Sequence, residues 1–188
     1  MTLSWTVVPA PFGALTVGAT EAGLALVAFG HDPAMVERAA ERLGEPVLAQ
    51  VQRSSQGVQA LQGPHERCEV AALQLCEYLA GDRQVFDVPL DWRLTAGSQR
   101  RVLESLYATV GYGATVTYGE LAARSGLGAG HTAARGVGAI MGSNPLPVVV
   151  PCHRVLAADG LGGFGGGRAT KEWLLALEGV LTPAFDFD

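Results

Sequence analysis

Cysteine is scarce in this sequence. The 188 residues hold three, Cys68, Cys76 and Cys152, an odd number with no framework spacing. That excludes a small disulfide-stapled scaffold and fits a reducing compartment. Charge is low too, at 16% of residues, yet the hydrophobic fraction of 48% excludes a disordered chain. No apolar run reaches membrane-spanning length, and "MTLSWTVVPAPFG" lacks a basic segment, the first Lys or Arg being Arg38. No membrane partner and a cytoplasmic location are the expectation. There is no CxxC and no HxxxH, and Cys152 with His153 supplies only two of the four ligands of a structural zinc site, so neither metal nor cofactor is expected.

The net charge of −5 argues against a nucleic-acid partner until it is divided. Residues 1–91 hold five Arg against eleven acids, a balance of −6, whereas residues 92–182 hold seven Arg and one Lys against five acids, a balance of +3. A mildly basic second half allows a local nucleic-acid face.

Elements follow from spacing. "SWTVVPAPFGALTVGATEAGLALVAFG" alternates β-rich runs with turn residues and predicts two or three antiparallel strands. "PAMVERAAERLG" reads as a helix stopped by Gly44, and "ERCEVAALQLCEYLAGD" as another that ends at Gly81. In the latter, Val70, Leu73, Cys76 and Leu79 or Ala80 are expected to share the buried face, making Cys76 an inert buried thiol and leaving Cys68 less determined. "FDVPLDWRLTAG" reads as a strand and connector, which sets a domain junction at 91/92. Beyond it, "SQRRVLESLYATV" puts Val102, Leu103, Leu106, Tyr107 and Val110 at helical spacing. "TYGELAARSG" and "HTAARGVGAIMG" are short helices around the turn "LGAG", a helix-turn-helix pattern in which Thr132 or His131 is placed to cap the second helix; on spacing alone a plain αα-corner is the simpler reading. "LAADGLGGFGGGR" is a glycine loop that lacks the strand–helix setting and Lys-Ser/Thr end of a phosphate loop, and "ATKEWLLALEG" a final helix with Trp173, Leu174 and Leu177 inward.

"VVVPCHRV" carries the chemistry. Cys152 sits between a proline and a His-Arg pair, an odd place for inert packing, so a nucleophilic thiol is the sharper reading. If a strand runs through these residues, Cys152 and His153 point to opposite faces, and His153 acts as base only through a water. An imidazole base needs a partner to fix its tautomer, and Glu172 or Glu178 on the last helix could serve.

Four ordered stretches, "YGELA" at 118–122, "AARGVGAIMGSNPLP" at 133–147, "PCHRV" at 151–155 and "KEWLLALEG" at 171–179, together resemble the O6-alkylguanine-DNA alkyltransferase family. "CEYLAGDR" and "FDVPLD" are similar to its more variable N-terminal part. The resemblance implies an α+β fold: an N-terminal ribonuclease-H-like domain (1–91) with a small antiparallel sheet, and a mostly helical C-terminal domain (92–188) with a winged-helix-like helix-turn-helix. It implies a monomer acting on double-stranded DNA that contains O6-alkylguanine, with O4-alkylthymine a second candidate, in a single irreversible transfer of the alkyl group to Cys152.

On the same resemblance His153 is the water-mediated base, Glu178 the carboxylate that orients it, and Asn144 the tie between recognition helix and active-site strand. Tyr118 rotates the phosphate and hydrogen-bonds the base at N3. Arg135 fills the stack after base flipping, which costs roughly a few kcal/mol. Thr132, Ala133, Ala134, Gly136 and Gly138 lie on the helix that approaches the minor groove. Met141 walls the pocket, the carbonyls of Cys152 and Val155 read the guanine amino group, and Phe164 and Gly165 stand at the loop positions that donate to O6. Many members carry a tyrosine and a hydroxyl-bearing residue at these last two positions; the departure predicts a looser loop that tolerates bulky adducts. The family's usual "F-Q" stands here as "SQ" in "LTAGSQRRV". Rival readings are a non-catalytic relative that only binds alkylated DNA, a cysteine hydrolase and a transcriptional helix-turn-helix module.

Overall fold

The computed structural model describes residues 2–47 and 63–182. The chain forms two compact units, Met1–Ala96 and Gly97–Asp188. No helix among the described residues is long and apolar enough to cross a membrane.

In the first unit, β1 (Ser4–Ala10), β2 (Gly13–Thr20) and β3 (Gly23–Phe29) form an antiparallel sheet in that order. The registers Ala10↔Gly13 and Thr20↔Gly23 leave two-residue turns, where the sequence put its punctuation. Leu24 to Ala28 on β3 are all buried, so this strand is covered on both faces and its pattern is continuous rather than alternating. Helix α1 (Pro33–Leu43) supplies part of that cover, with Val36, Ala39 and Ala40 against Leu3, Trp5, Leu26 and Leu94. Its ends obey the sequence: Asp32 caps the Ala34 amide, and Gly44 takes the left-handed conformation at φ 68°.

Helix α2 (Pro64–Leu79) packs on all three strands, and it corrects the expected face. Cys68, Ala71, Ala72, Leu75, Tyr78 and Leu79 are buried, while Leu73 is 47% exposed and Cys76 only half-buried. Steps of three residues fall 60° short of a full turn, so a row read as 70, 73, 76 and 79 winds to the opposite side of the helix. Cys68 is therefore the inert thiol. Burial first, then the neighbouring Glu69, pushes it up to about 12.

The "FDVPLD" segment forms no full strand. A single parallel bridge joins Leu90 to Leu24, followed by a 3-10 turn at Trp92–Leu94. Leu24 donates to the Pro89 carbonyl and Asp91 to the Leu24 carbonyl, both at 2.8 Å. Thr20 Oγ1 reaches Asp91 Oδ2 at 2.6 Å, and Arg93 bridges Asp91 and Glu45.

The second unit begins with α3 (Gly97–Thr109), whose buried residues are Val102, Leu103 and Leu106; Tyr107, expected inward, is 38% exposed. β4 (Val116–Thr117) pairs in parallel with β5 (Val155–Leu156). Helices α4 (Tyr118–Arg124) and α5 (His131–Gly142) pack together as the helix-turn-helix pair. Thr117 and Glu120 form a reciprocal capping box that starts α4 at Tyr118. Neither Thr132 nor His131 caps α5: the N-cap is Gly130 at φ 87°, a backbone angle open to glycine, and both residues already lie inside the helix. The expected strand through "PCHRV" is instead a 3-10 turn at Cys152–Arg154. Helix α6 (Arg168–Leu177) buries Thr170, Lys171, Leu174 and Leu175, with Trp173 and Leu177 only half-buried.

Gly23 decides whether the 89–91 segment can dock. At φ 149° a Cβ there would lie 2.3 Å from the Pro89 carbonyl oxygen. Gly23→Ala is expected to cost about 2 kcal/mol or more of stability. Chemical denaturation checks this, and an unchanged midpoint would count against the close approach.

Candidate functional site

The bend that delivers Cys152 is built around Asn144 and Pro151. Asn144, just past the end of α5, accepts from the Leu146 amide at 2.9 Å and donates Nδ2 to the Val150 carbonyl at 2.9 Å. Pro151 (φ −81°, ψ 66°) sits at the centre of an inverse γ-turn closed by Cys152 N–H to the Val150 carbonyl at 2.8 Å. Cys152 follows, 4% exposed, and Met141 in the last turn of α5 is 8% exposed. Burial pushes the thiol above its usual range. The Asn144 side chain, the Lys171 ammonium and the backbone amides of Cys152 and Val148 pull against that rise.

His153 and Arg154 share one partner. His153 Nε2 lies 2.8 Å from Glu178 Oε1, and Arg154 grips both carboxylate oxygens at 2.8 and 2.9 Å. Gly113 N–H adds a fourth bond to Glu178 at 3.1 Å, and Arg154 Nη1 reaches the Val110 carbonyl at 2.7 Å. A carboxylate only accepts, so Nε2 carries the imidazole proton. Burial pushes His153 below its usual range against the pull of Glu178, which keeps the ring neutral at pH 7. In a 3-10 turn successive side chains diverge by about 120°. The divergence of Cys152 and His153 therefore survives although its strand premise does not.

Beside this grouping lies a cavity of about 650 Å³. Tyr118 of α4, His131, Ala134, Arg135, Gly138, Met141 and Gly142 of α5, and Gly163, Phe164 and Gly165 of the glycine loop line it. The Phe164 ring also stands edge-on to His153, centroids 6.5 Å apart, so cavity wall and imidazole adjoin. Burial, then the neighbouring Cys152, pushes the Tyr118 phenol up; it stays protonated, and its hydroxyl donates to the Gly163 carbonyl at 3.3 Å. Lys171 Nζ, 6.0 Å from the Tyr118 ring centroid, donates to the carbonyls of Val155, Leu161 and Gly163 and holds the loop. Burial brings Lys171 down to about 8.

Two family models divide the chain between them. The ribonuclease-like domain of 6-O-methylguanine DNA methyltransferase matches residues 3–92, and its DNA binding domain residues 97–180. The chain belongs to the 6-O-methylguanine DNA methyltransferase family. Among curated relatives, the methylated-DNA–protein-cysteine methyltransferase of Mycolicibacterium paratuberculosis is 49% identical over 61% of this chain and 67% of its own length. The Mus musculus protein of the same name is 52% identical over 44% of this chain, an alignment that spans 39% of the mouse protein. Among solved structures, the Mycobacterium tuberculosis O6-methylguanine methyltransferase superposes with a TM-score of 0.70 at 33% identity, covering 97% of this chain and 96% of that one. A Mycobacterium tuberculosis homologue crystallised with DNA gives the same TM-score and identity over 93% and 92%.

Within this family member, the sequence-expected residues fall into three places. Cys152 and His153 share one 3-10 turn, His153 bonds Glu178, and Asn144 clamps the bend that leads into the turn. Tyr118, Ala134, Arg135, Gly138, Met141, Phe164 and Gly165 share the cavity wall. Exposed Thr132 and half-buried Ala133 lie on α5 outside that wall. The carbonyls of Cys152 and Val155 each already accept one bond, from the Val155 amide and from Lys171, which leaves one lone pair apiece. Of the two glutamates open on spacing, Glu172 pairs instead with Arg168 at the surface.

Sequence reasoning missed Arg154, Lys171 and His131. Arg154 was legible only as the neighbour in "CHR", and nothing in the sequence marked Lys171 as buried. Glu178→Gln is expected to lower the stability of this unit by about 3 kcal/mol, because Arg154 would remain buried without a counter-charge. Urea denaturation checks this, and a loss below about 1 kcal/mol, the range of a surface pair, would contradict it.

Proposed function

We propose that this protein repairs DNA by moving the alkyl group from O6 of guanine to the Cys152 sulfur, once per molecule. The buried Cys152–His153–Glu178 grouping next to a cavity walled by the helix-turn-helix pair carries the reading. The relatives' names and the DNA-bound neighbour support DNA as partner.

The duplex binds along α5, and the damaged base leaves the stack for the cavity, with Arg135 taking its place. His153 accepts the Cys152 proton through a water, and Glu178 stabilises the imidazolium that results. The sulfur electron pair forms the S–C bond as the C–O6 bond breaks, and the electrons pass to the purine. Tyr118, a protonated phenol, delivers a proton to N3, so neutral guanine departs. The S-alkylcysteine has no route back to thiol, which makes the reaction single-use. The carbonyls of Cys152 and Val155 use their remaining lone pairs to hold the guanine amino group.

Intact mass spectrometry after mixing with a duplex containing O6-methylguanine tests this. One methyl group on Cys152, stoichiometric and lost in Cys152→Ala, is the expected outcome. Retained binding without an adduct would instead indicate a non-catalytic relative, and repeated turnover without an adduct a hydrolase. With O6-benzylguanine, the Gly165→Ser variant is expected to react more slowly than the native protein relative to O6-methylguanine. Equal ratios would show that the glycine gives no extra tolerance.

A further inference from the structure

The cavity wall carries three side chains able to hydrogen-bond a ligand, Tyr118, His131 and Arg135, and no acid stands among the described residues that line it. Tyr118 delivers a proton and Arg135 fills the stack in the reaction proposed above. His131 has no part in it.

The fold does not use His131 either. It is exposed, and its side chain makes no hydrogen bond or ion pair with another described residue. It opens α5, where Gly130 supplies no side-chain cap and the first turn holds no acid. A helix N-terminus disfavours a positive ring at that position. A side chain that local stability does not ask for, standing in a cavity wall, is placed for a ligand.

Its neighbours say which part of the ligand it meets. His131, Arg135, Gly138 and Gly142 run along one stripe of α5, and all four line the cavity. The wall offers Met141 and Phe164 to the apolar faces of a base. Four residues of helix rise about 6 Å, so His131 stands one turn from Arg135. The minor groove of B-DNA is about 6 Å wide. With Arg135 inserted from the groove floor, a residue one turn away reaches the edge of the groove, where the phosphates lie. An imidazole N–H donates to a phosphate oxygen whether the ring is neutral or charged. Contacts of this kind fix the register of a protein on its duplex, and a base can enter the cavity only from one register.

We propose that His131 is a DNA-contact residue whose imidazole holds a backbone phosphate flanking the flipped nucleotide. The proposal rests on the reading of this chain as an alkyltransferase that takes its target base out of the stack. Its test measures binding alone, so its failure is distinct from failure of alkyl transfer.

The measurement is the equilibrium affinity for a duplex containing O6-methylguanine, made in the Cys152→Ala background so that no transfer intervenes. Adding His131→Ala is expected to weaken binding about tenfold, the size of one hydrogen bond to a charged group. His131→Lys, which restores a donor, is expected to recover most of that loss. A second duplex carries uncharged methylphosphonates in place of the two phosphates that flank O6-methylguanine. On it, His131→Ala is expected to cost nothing further, because the acceptor is already gone. Unchanged affinity of His131→Ala for the ordinary duplex overturns the proposal. A tenfold loss that persists on the methylphosphonate duplex overturns it equally, since His131 would then be acting on the base or on a more distant phosphate.

Discussion

The second unit depends on one buried carboxylate. Glu178, at the end of α6, receives His153 from the 3-10 turn, both arms of Arg154 and the Gly113 amide from the loop before β4. Three chain segments meet on two oxygen atoms. Removing Arg154 would leave the Glu178 charge buried without its counter-ion. It also sets the state of His153, since an acceptor on Nε2 fixes the ring proton there and leaves Nδ1 with its lone pair.

The same helix places the second organising charge. Lys171 and Glu178 are seven residues apart, two turns of α6, with Leu174 and Leu175 between them on the buried side. One end of that stripe holds the glycine loop by its carbonyls and the other holds the Cys152–Arg154 turn. Phe164 in the loop and His153 in the turn then meet in a T-shaped, edge-to-face arrangement. A loop with six glycines in eight residues lacks intrinsic order, so its tether to Lys171 is what makes it a cavity wall. DNA repair by a family of this kind needs such a wall, because the base must leave the duplex and find a shaped pocket.

Much of this was legible in the sequence. Alternation and turn residues marked the three strands, Gly44 marked the end of α1, and the small residues of "HTAARGVGAIMG" marked a helix able to approach a partner closely. The order of four motifs identified the family and selected Glu178 over Glu172. What stayed hidden was hidden for physical reasons. Period-three counting drifts around a helix, so Cys76 was placed inside and Cys68 left open. A charged residue at either end of an amphipathic helix normally faces water, so Lys171 did not read as buried while Trp173 and Leu177 did. "VVVPCHRV" has strand composition, yet Asn144 and the turn at Pro151 bend it, and no propensity records that constraint. The left-handed Val148 is the furthest from sequence logic, since its local preference is overruled by the loop around it.

If Glu178 organises the site as described, the tautomer of His153 is the direct consequence. Nitrogen-15 NMR of the imidazole in the native protein at pH 7 measures it. The account predicts a neutral ring protonated at Nε2 and unprotonated at Nδ1. A ring protonated at Nδ1, or an imidazolium at this pH, would contradict it.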